Sequence, residues 1–104
     1  MGQFHAIRTR LRPGMEQAYQ EAHDTVWPSL IEAQREAGIA GWWIFRSGLD
    51  LFHVSQCDDF DRALAVLAAH PVDQLWQAEM ALYTESELGR AAPAAERLQL
   101  IYHR

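Results

Sequence analysis

A histidine set between two aromatic residues is the strongest chemical signal in the chain. Tyr19, His23 and Trp27 recur at intervals of four in the segment YQEAHDTVWPSL, so on a helix they lie on one side, one turn apart. Tyr19 falls within the apolar stripe of that helix, whereas His23 and Trp27 fall towards its edge, where a helix borders a cleft. An imidazole exchanges protons near neutral pH, which makes His23 a candidate acid/base group. The plain alternative is an idle, exposed histidine flanked by two core residues.

The apolar pattern predicts the elements that position this segment. Residues 3–11 fit the alternation of a strand. From Met15 to Gly38, apolar residues recur at intervals of three and four, as in an amphipathic helix that faces a sheet. Pro28 lacks an N–H and restricts the residue before it, so we expect the helix to kink or restart there.

The middle of the chain predicts a hairpin followed by a helix. The segments 40–46 and 51–56 are rich in aromatic and β-branched residues and flank a turn-forming sequence, as in two paired strands. Asp58 or Asp59 can N-cap the next helix, which we expect to end by His70.

The last third of the chain completes an α+β pattern. Pro71 suits the start of a further helical stretch, residues 85–96 predict a loop, and Leu98 to Tyr102 predicts a closing strand. Strand, helix, strand, strand, helix, strand is the order of a ferredoxin-like βαββαβ sandwich, here a single domain over residues 1–104. One face of such a sheet is left uncovered, so we expect a homodimer of the dimeric α/β barrel type.

Composition excludes several classes of function. The net charge is −5 and the chain has no lysine, so a nucleic-acid partner is not expected. The single cysteine, Cys57, has no partner for a disulfide and none at zinc-ligand spacing. No apolar run reaches the roughly 18 residues that cross a bilayer, and no signal peptide is evident at the N-terminus. We therefore expect a cytoplasmic protein without a membrane partner.

Two further histidines lie on neighbouring strands of the predicted sheet. His5 and His53 would be side by side in a ferredoxin-like sheet and could contact a substrate. Two histidines without a third ligand are a weak metal signal, so substrate contact or simple hydrogen bonding is the favoured interpretation and no metal is expected.

Three stretches together resemble the L-rhamnose mutarotase family, a group of small dimeric ferredoxin-like proteins. They read Tyr19-x3-His23-x3-Trp27-Pro28-x-Leu30, then Gly38 with the aromatic strand Trp42 to Phe45 and its return at Leu51-Phe52, then His70-Pro71-Val72-x-Gln74-x-Trp76-x3-Met80. Their order and spacing span the first four-fifths of the chain.

The resemblance implies roles for several of these residues. It makes His23 the acid/base group and Tyr19 a sugar contact, and it places Trp42, Trp76 and Gln77 at the remaining sugar-binding positions. Two of these depart from the family pattern, since Trp42 stands for a tyrosine and Gln77 for the second tryptophan of a pair. Trp27 could line the pocket or support the kink.

The implied activity is the exchange of the α and β anomers of a 6-deoxyhexose of the L-rhamnose or L-fucose type. It needs no cofactor, because an imidazole can move the protons by itself. The same fold hosts monooxygenases, haem-handling proteins and non-catalytic sugar-binding modules, so these remain alternatives.

Overall fold

Four antiparallel strands form the sheet on which the rest of the chain packs. The computed structural model describes residues 2–85 and 96–104. The strands are β1 (Gln3–Arg10), β2 (Gly41–Ser47), β3 (Asp50–Cys57) and β4 (Glu96–Leu98), in the spatial order β2-β3-β1-β4. The strand order and the antiparallel pairing confirm the predicted ferredoxin-like α+β class.

Four helices fill the two crossovers of this sheet. They are α1 (Glu16–Asp24) and α2 (Pro28–Glu36) between β1 and β2, and α3 (Phe60–Ala68) and α4 (Pro71–Met80) after β3. None of the helices in the part of the chain that the structure describes is long and apolar enough to cross a membrane.

The first crossover is two helices rather than one, as the proline suggested. Helix α1 ends at Asp24, and α2 begins with Pro28 at its first position, where the missing N–H costs no hydrogen bond. Trp27 between them is extended, with φ −58° and ψ 127°, the conformation that a following proline favours. Gly38 follows α2 with φ +98°, a left-handed conformation that glycine adopts without a Cβ clash. The expected restart and helix end are both confirmed.

Side-chain caps fix the start of the other two helices. The Asp59 side chain accepts a hydrogen bond of 3.1 Å from the Arg62 N–H at the start of α3. The His70 Nδ1 accepts one of 3.2 Å from the Val72 N–H at the start of α4. His70 therefore has a structural function, and its Nδ1 carries a lone pair.

The prediction for the end of the chain is wrong in its bounds. The closing strand is Glu96–Leu98, where Leu98 pairs with Ala6, and residues 99–104 are not in a strand. Ile101 is 86% exposed, so the apolar residues after Leu98 have no surface in this chain on which to pack. Alternation of apolar residues indicates strand propensity but not the presence of a neighbouring strand. Most of the predicted loop, residues 86–95, lies outside the described residues.

The register assigns the side chains of the sheet to two different faces. One face looks towards the helices, and its paired residues include Ile7 with His53 and Ile44 with His53. Fully buried leucines at positions 11, 30 and 51 pack between this face and the helices, together with Tyr19 and Trp76. A second buried cluster forms around Phe60, Ala33 and Cys57, so the cysteine is a core residue. The other face carries exposed aromatic residues.

Candidate functional site

His23 sits in the last turn of α1, where the chain breaks before Pro28. Its Nδ1 lies 2.8 Å from the backbone carbonyl oxygen of Tyr19, one turn earlier. Since a carbonyl oxygen only accepts, Nδ1 must donate, and in the neutral ring Nε2 then holds the lone pair. The hydrogen bond joins the side chain of His23 to the backbone of its own helix. It fixes both the tautomer and the orientation of the imidazole.

Aromatic rings from three elements enclose this imidazole. The His23 ring centroid lies 4.3 Å from that of Tyr19, 5.9 Å from Trp42 on β2 and 5.2 Å from Trp76 on α4. The Trp27 ring meets Trp76 edge-on at 5.0 Å. The structure therefore brings five of the candidate site residues, His23 and four aromatic residues, into one aromatic cluster.

Burial in this cluster keeps His23 neutral. Loss of solvent lowers the pKa of His23 below its usual value, while the Tyr19 carbonyl and the charges of Glu79 and Asp24 oppose that decrease. Nε2 has no accessible surface and no hydrogen-bond partner in the described part of the chain. Burial also raises the pKa of Tyr19, so its phenol stays protonated at neutral pH. At pH 7 the site thus holds a proton acceptor beside a proton donor.

His53 lies below this cluster, on the helix-facing side of β3. Its Nε2 is 2.9 Å from the Thr9 hydroxyl on the neighbouring strand. Burial, with a smaller contribution from the positive charge that His23 can carry, lowers the pKa of His53 to about 4. His53 is therefore a neutral, buried polar group at physiological pH.

The remaining two predicted contacts lie elsewhere. The His5 ring stacks on Phe60 of α3, with centroids 4.7 Å apart and planes 7° from parallel, and it belongs with the second buried cluster. His5 and His53 share a sheet face but are engaged by different partners. Gln77 is exposed on α4. Burial raises the pKa of the neighbouring Asp73, and a hydrogen bond with the Gln77 side chain partly opposes that rise. The structure does not bring His5 or Gln77 into the aromatic cluster.

A pocket of about 100 Å³ opens beside His23, between α1 and the sheet. Its walls include Glu16, Tyr19, Gln20 and His23 of α1, and Ile44, Arg46 and Leu51 of the sheet. One water needs roughly 10–15 Å³ of such space, so the pocket accepts a group of several heavy atoms. It is smaller than the roughly 300–1,000 Å³ of sites for drug-sized ligands. Its size suits part or all of a monosaccharide and is too small for a haem.

Three polar residues of the pocket were not singled out from the sequence. Glu16 and Gln20 lie on the same side of α1 as His23, at positions i−7 and i−3. Arg46 alternates with Trp42 and Ile44 along β2 and so shares their face. Their spacing along α1 and β2 was a signal in the sequence that they could lie near His23. It is a weak signal, because charged residues at such positions are usually solvated. Within residues 2–85 and 96–104, no group of three or more His, Cys, Asp or Glu side chains could hold a metal ion.

Comparison with known proteins gives a consistent result along the whole chain. A protein-family model described as L-rhamnose mutarotase matches residues 5–104. A protein of Sinorhizobium fredii named L-rhamnose mutarotase is 37% identical over 102 residues, covering 95% of each chain. Another with this name, from Burkholderia orbicola, is 37% identical over 101 residues, covering 94% of each.

A solved structure supports the fold. The crystal structure of an L-rhamnose mutarotase from Formosa agariphila superposes with a TM-score of 0.82, covering 98% of both chains at 23% identity. These matches do not favour a monooxygenase, a haem-handling protein or a sugar-binding module without catalysis.

The burial of His53 predicts a pH dependence of stability. The folded pKa of about 4 lies below the value near 6.5 of an unfolded chain. The contribution of His53 is therefore present in full above pH 6.5 and is lost as the pH falls towards 4, by up to about 3 kcal/mol. Denaturant unfolding of the wild type and of His53→Gln should show the wild-type free-energy advantage shrink between pH 7.5 and 4. The exposed His103→Gln variant should show no such change relative to wild type, and a constant difference for His53→Gln would contradict the assigned burial.

Proposed function

This chain belongs to the L-rhamnose mutarotase family of isomerases, and from that premise we propose that it interconverts the anomers of a 6-deoxyhexose of the L-rhamnose or L-fucose type, with His23 as the acid/base group. The observation that supports this proposal best is the state of the imidazole. Its Nδ1–H is held by the Tyr19 carbonyl, and its Nε2 is unprotonated within an aromatic wall. A proton acceptor of fixed direction is the group that the reaction requires.

The reaction consists of two proton transfers and one bond cleavage. The anomeric hydroxyl gives its proton to Nε2 of His23, the bond from C1 to the ring oxygen breaks, and the ring oxygen gains a proton. C1 becomes an aldehyde, and rotation about the C1–C2 bond turns the other face of that aldehyde towards the ring oxygen. Closure of the ring then reverses the two proton transfers. The imidazolium formed when the anomeric hydroxyl loses its proton can give that proton to the ring oxygen, so protons balance over a turnover without a cofactor.

The aromatic residues around His23 suit a 6-deoxy sugar. Sugar C–H groups pack on indole and phenol faces, and the methyl group of a 6-deoxyhexose increases the apolar area to be covered. Trp42 and Trp76 carry indole N–H donors, and Tyr19 carries a protonated hydroxyl, for the polar edges of the ring. Gln77 is a proposed contact in the family's position for a second tryptophan, although its side chain is exposed here. Predicted roles for His5, His53 and Trp27 in sugar binding stay predictions, as does the cytoplasmic location.

Removal of the imidazole should abolish the acceleration without abolishing binding. In His23→Gln we expect the rate of anomer exchange to fall by about 10²–10⁴-fold, because the variant keeps an amide of similar size but no proton acceptor of suitable pKa. Exchange between the α and β anomeric proton signals, measured by NMR with L-rhamnose and L-fucose, gives this rate directly. The matched control is His103→Gln, since His103 is exposed at the end of the chain.

The same experiment separates the proposed enzyme from its alternatives. A binding module without catalysis would give a different result. Its wild type would not accelerate anomer exchange, and sugar-induced chemical-shift changes would persist in His23→Gln. A wild type that accelerates neither sugar would contradict the proposed substrate class.

A side chain must move before the sugar can reach Nε2. This nitrogen has no accessible surface, and the ring centroids of Trp76 and Trp42 lie 5.2 and 5.9 Å from that of the imidazole. Trp76 is only 3% exposed and is packed in the core, whereas Trp42 is half-buried on the edge strand β2. Trp42 also borders a second pocket of about 290 Å³ on its other side, lined by Val26 and Ile39. We therefore assign the movement to Trp42.

The movement of Trp42 should be visible in its fluorescence. Saturating sugar should change the intrinsic tryptophan emission of the wild type, and Trp42→Phe should lose most of that change while it still binds. Trp43→Phe is the matched control, because Trp43 is the next residue on β2 and points to the opposite face of the sheet. An emission change that survives in Trp42→Phe and disappears in Trp43→Phe would contradict the assignment.

The outer face of the sheet supports the proposal of a homodimer. Phe4, Trp43 and Phe45 are 37%, 44% and 60% exposed on this face. The rings of Phe4 and Trp43 are 6.1 Å apart, so they form a continuous apolar surface. Apolar surfaces of this kind mark protein interfaces more often than they face water. A second copy of the chain, packed sheet to sheet, would cover it.

A charge on this face should prevent association. We expect Phe45→Glu to be monomeric at concentrations where the wild type is dimeric, because a carboxylate would be buried without a partner. Light scattering coupled to size-exclusion chromatography gives the mass. Leu75→Glu is the control, since Leu75 is 64% exposed but lies on α4, away from this face. A monomeric wild type would refute the proposed dimer.

A further inference from the structure

The pocket beside His23 extends between two elements that run alongside each other. Along α1, His23 and Glu16 both line it and are seven residues apart, which is about 10.5 Å along a helix axis. On β2, Trp42 contacts His23, and Arg46 lines the pocket four residues further on, about 13 Å along a strand. His23 therefore marks one end of the pocket, with Trp42 next to it outside the lining, and Glu16 and Arg46 mark the other end.

The polar groups at the far end are suited to bind hydroxyls. The Oε1 atom of Glu16 is buried and has no hydrogen-bond partner among residues 2–85 and 96–104. A buried acceptor without a partner is costly, and a hydroxyl donor would satisfy it. The Arg46 Nη1 donates to the Gly48 carbonyl oxygen at 2.7 Å. This contact fixes the guanidinium and leaves other N–H donors of the side chain for a ligand.

We propose that Glu16 and Arg46 form a hydroxyl-binding subsite that determines which sugar is accepted, at the end of the pocket opposite the proton-transfer site. This inference rests on the proposed function, because it places the anomeric carbon at His23. The hydroxyls that a pyranose carries farthest from its anomeric carbon, those at C3 and C4, then point towards Glu16 and Arg46. The carboxylate accepts from a hydroxyl, and the guanidinium donates to a hydroxyl oxygen.

A contact far from the reacting bond is made equally in the ground state and the transition state. Its loss raises KM and leaves kcat unchanged. Hydrogen bonds to charged groups are worth about 1.5–3 kcal/mol, so the expected loss is roughly 10- to 100-fold in kcat/KM. A second acid/base residue at the anomeric centre would instead lower kcat and alter its pH profile.

The test compares Glu16→Gln and Glu16→Ala with the wild type. Anomer exchange is measured against sugar concentration for the better of L-rhamnose and L-fucose and for its 3-deoxy and 4-deoxy analogues. We expect KM for the parent sugar to rise about 10-fold in Glu16→Gln and up to about 100-fold in Glu16→Ala, with kcat within threefold of wild type. The wild type should discriminate against at least one deoxy analogue, and that discrimination should largely disappear in both variants.

Glu21→Gln is the matched control. Glu21 lies on the same helix, is exposed and is hydrogen-bonded to Gln17 at 3.2 Å, so its loss should leave both constants unchanged. Arg46→Gln, on a different element, should reproduce the rise in KM if the Glu16 variants do not fold.

Three outcomes would overturn the subsite. An unchanged KM in variants that fold means that the sugar does not contact these residues. A lower kcat at unchanged KM, or the loss of one limb of the pH profile, means that Glu16 acts at the reacting centre. A wild type without activity on either sugar refutes the proposed function itself, and the subsite with it, whereas an active wild type with unaffected variants refutes the subsite alone.

Discussion

The hydrogen bond from the His23 Nδ1–H to the Tyr19 carbonyl is the interaction on which the site depends. At 2.8 Å, it makes Nδ1 the protonated nitrogen and leaves the lone pair on Nε2. Without it, a ring on the last turn of a helix could rotate and could present either nitrogen. The carbonyl belongs to the residue one turn before His23 in the same helix, so the bond forms within α1 and depends on no other element.

Pro28 explains why the helix ends at this point. An uninterrupted helix from 16 to 36 would supply helical N–H groups to the carbonyls around His23. Proline cannot donate at its own position and forces Trp27 into an extended conformation, which directs the Trp27 ring against Trp76 at 5.0 Å. After this break α2 packs on α3 and α4. Helix α1 instead borders the pocket together with β2 and β3.

Much of this could be predicted from the sequence, for identifiable reasons. Four-residue spacing places Tyr19 and His23 together whatever the tertiary structure, because it is a property of one helix. Proximity of Trp42 to Trp76 depends on the packing of β2 against α4, and only the family resemblance suggested it. The stacking of His5 on Phe60 could not be predicted, because strand adjacency does not say which helix residue will contact its ring. Glu16 and Arg46 were overlooked because a charged residue on an amphipathic helix or an edge strand usually faces water. Only the packing of α1 beside β2 brings these two residues to the same pocket.

Burial gives the imidazole its properties and also limits its use. Loss of solvent lowers the pKa of His23, which keeps Nε2 unprotonated at neutral pH, but the same burial leaves that nitrogen without accessible surface. A rigid cluster would hold a base that no substrate could reach. Edge strand β2 resolves this conflict, because it is hydrogen-bonded to a neighbour on one side only and its Trp42 is half-buried beside a second pocket. The fixed part of the site therefore lies on α1 and α4, and the adjustable part lies on an edge strand.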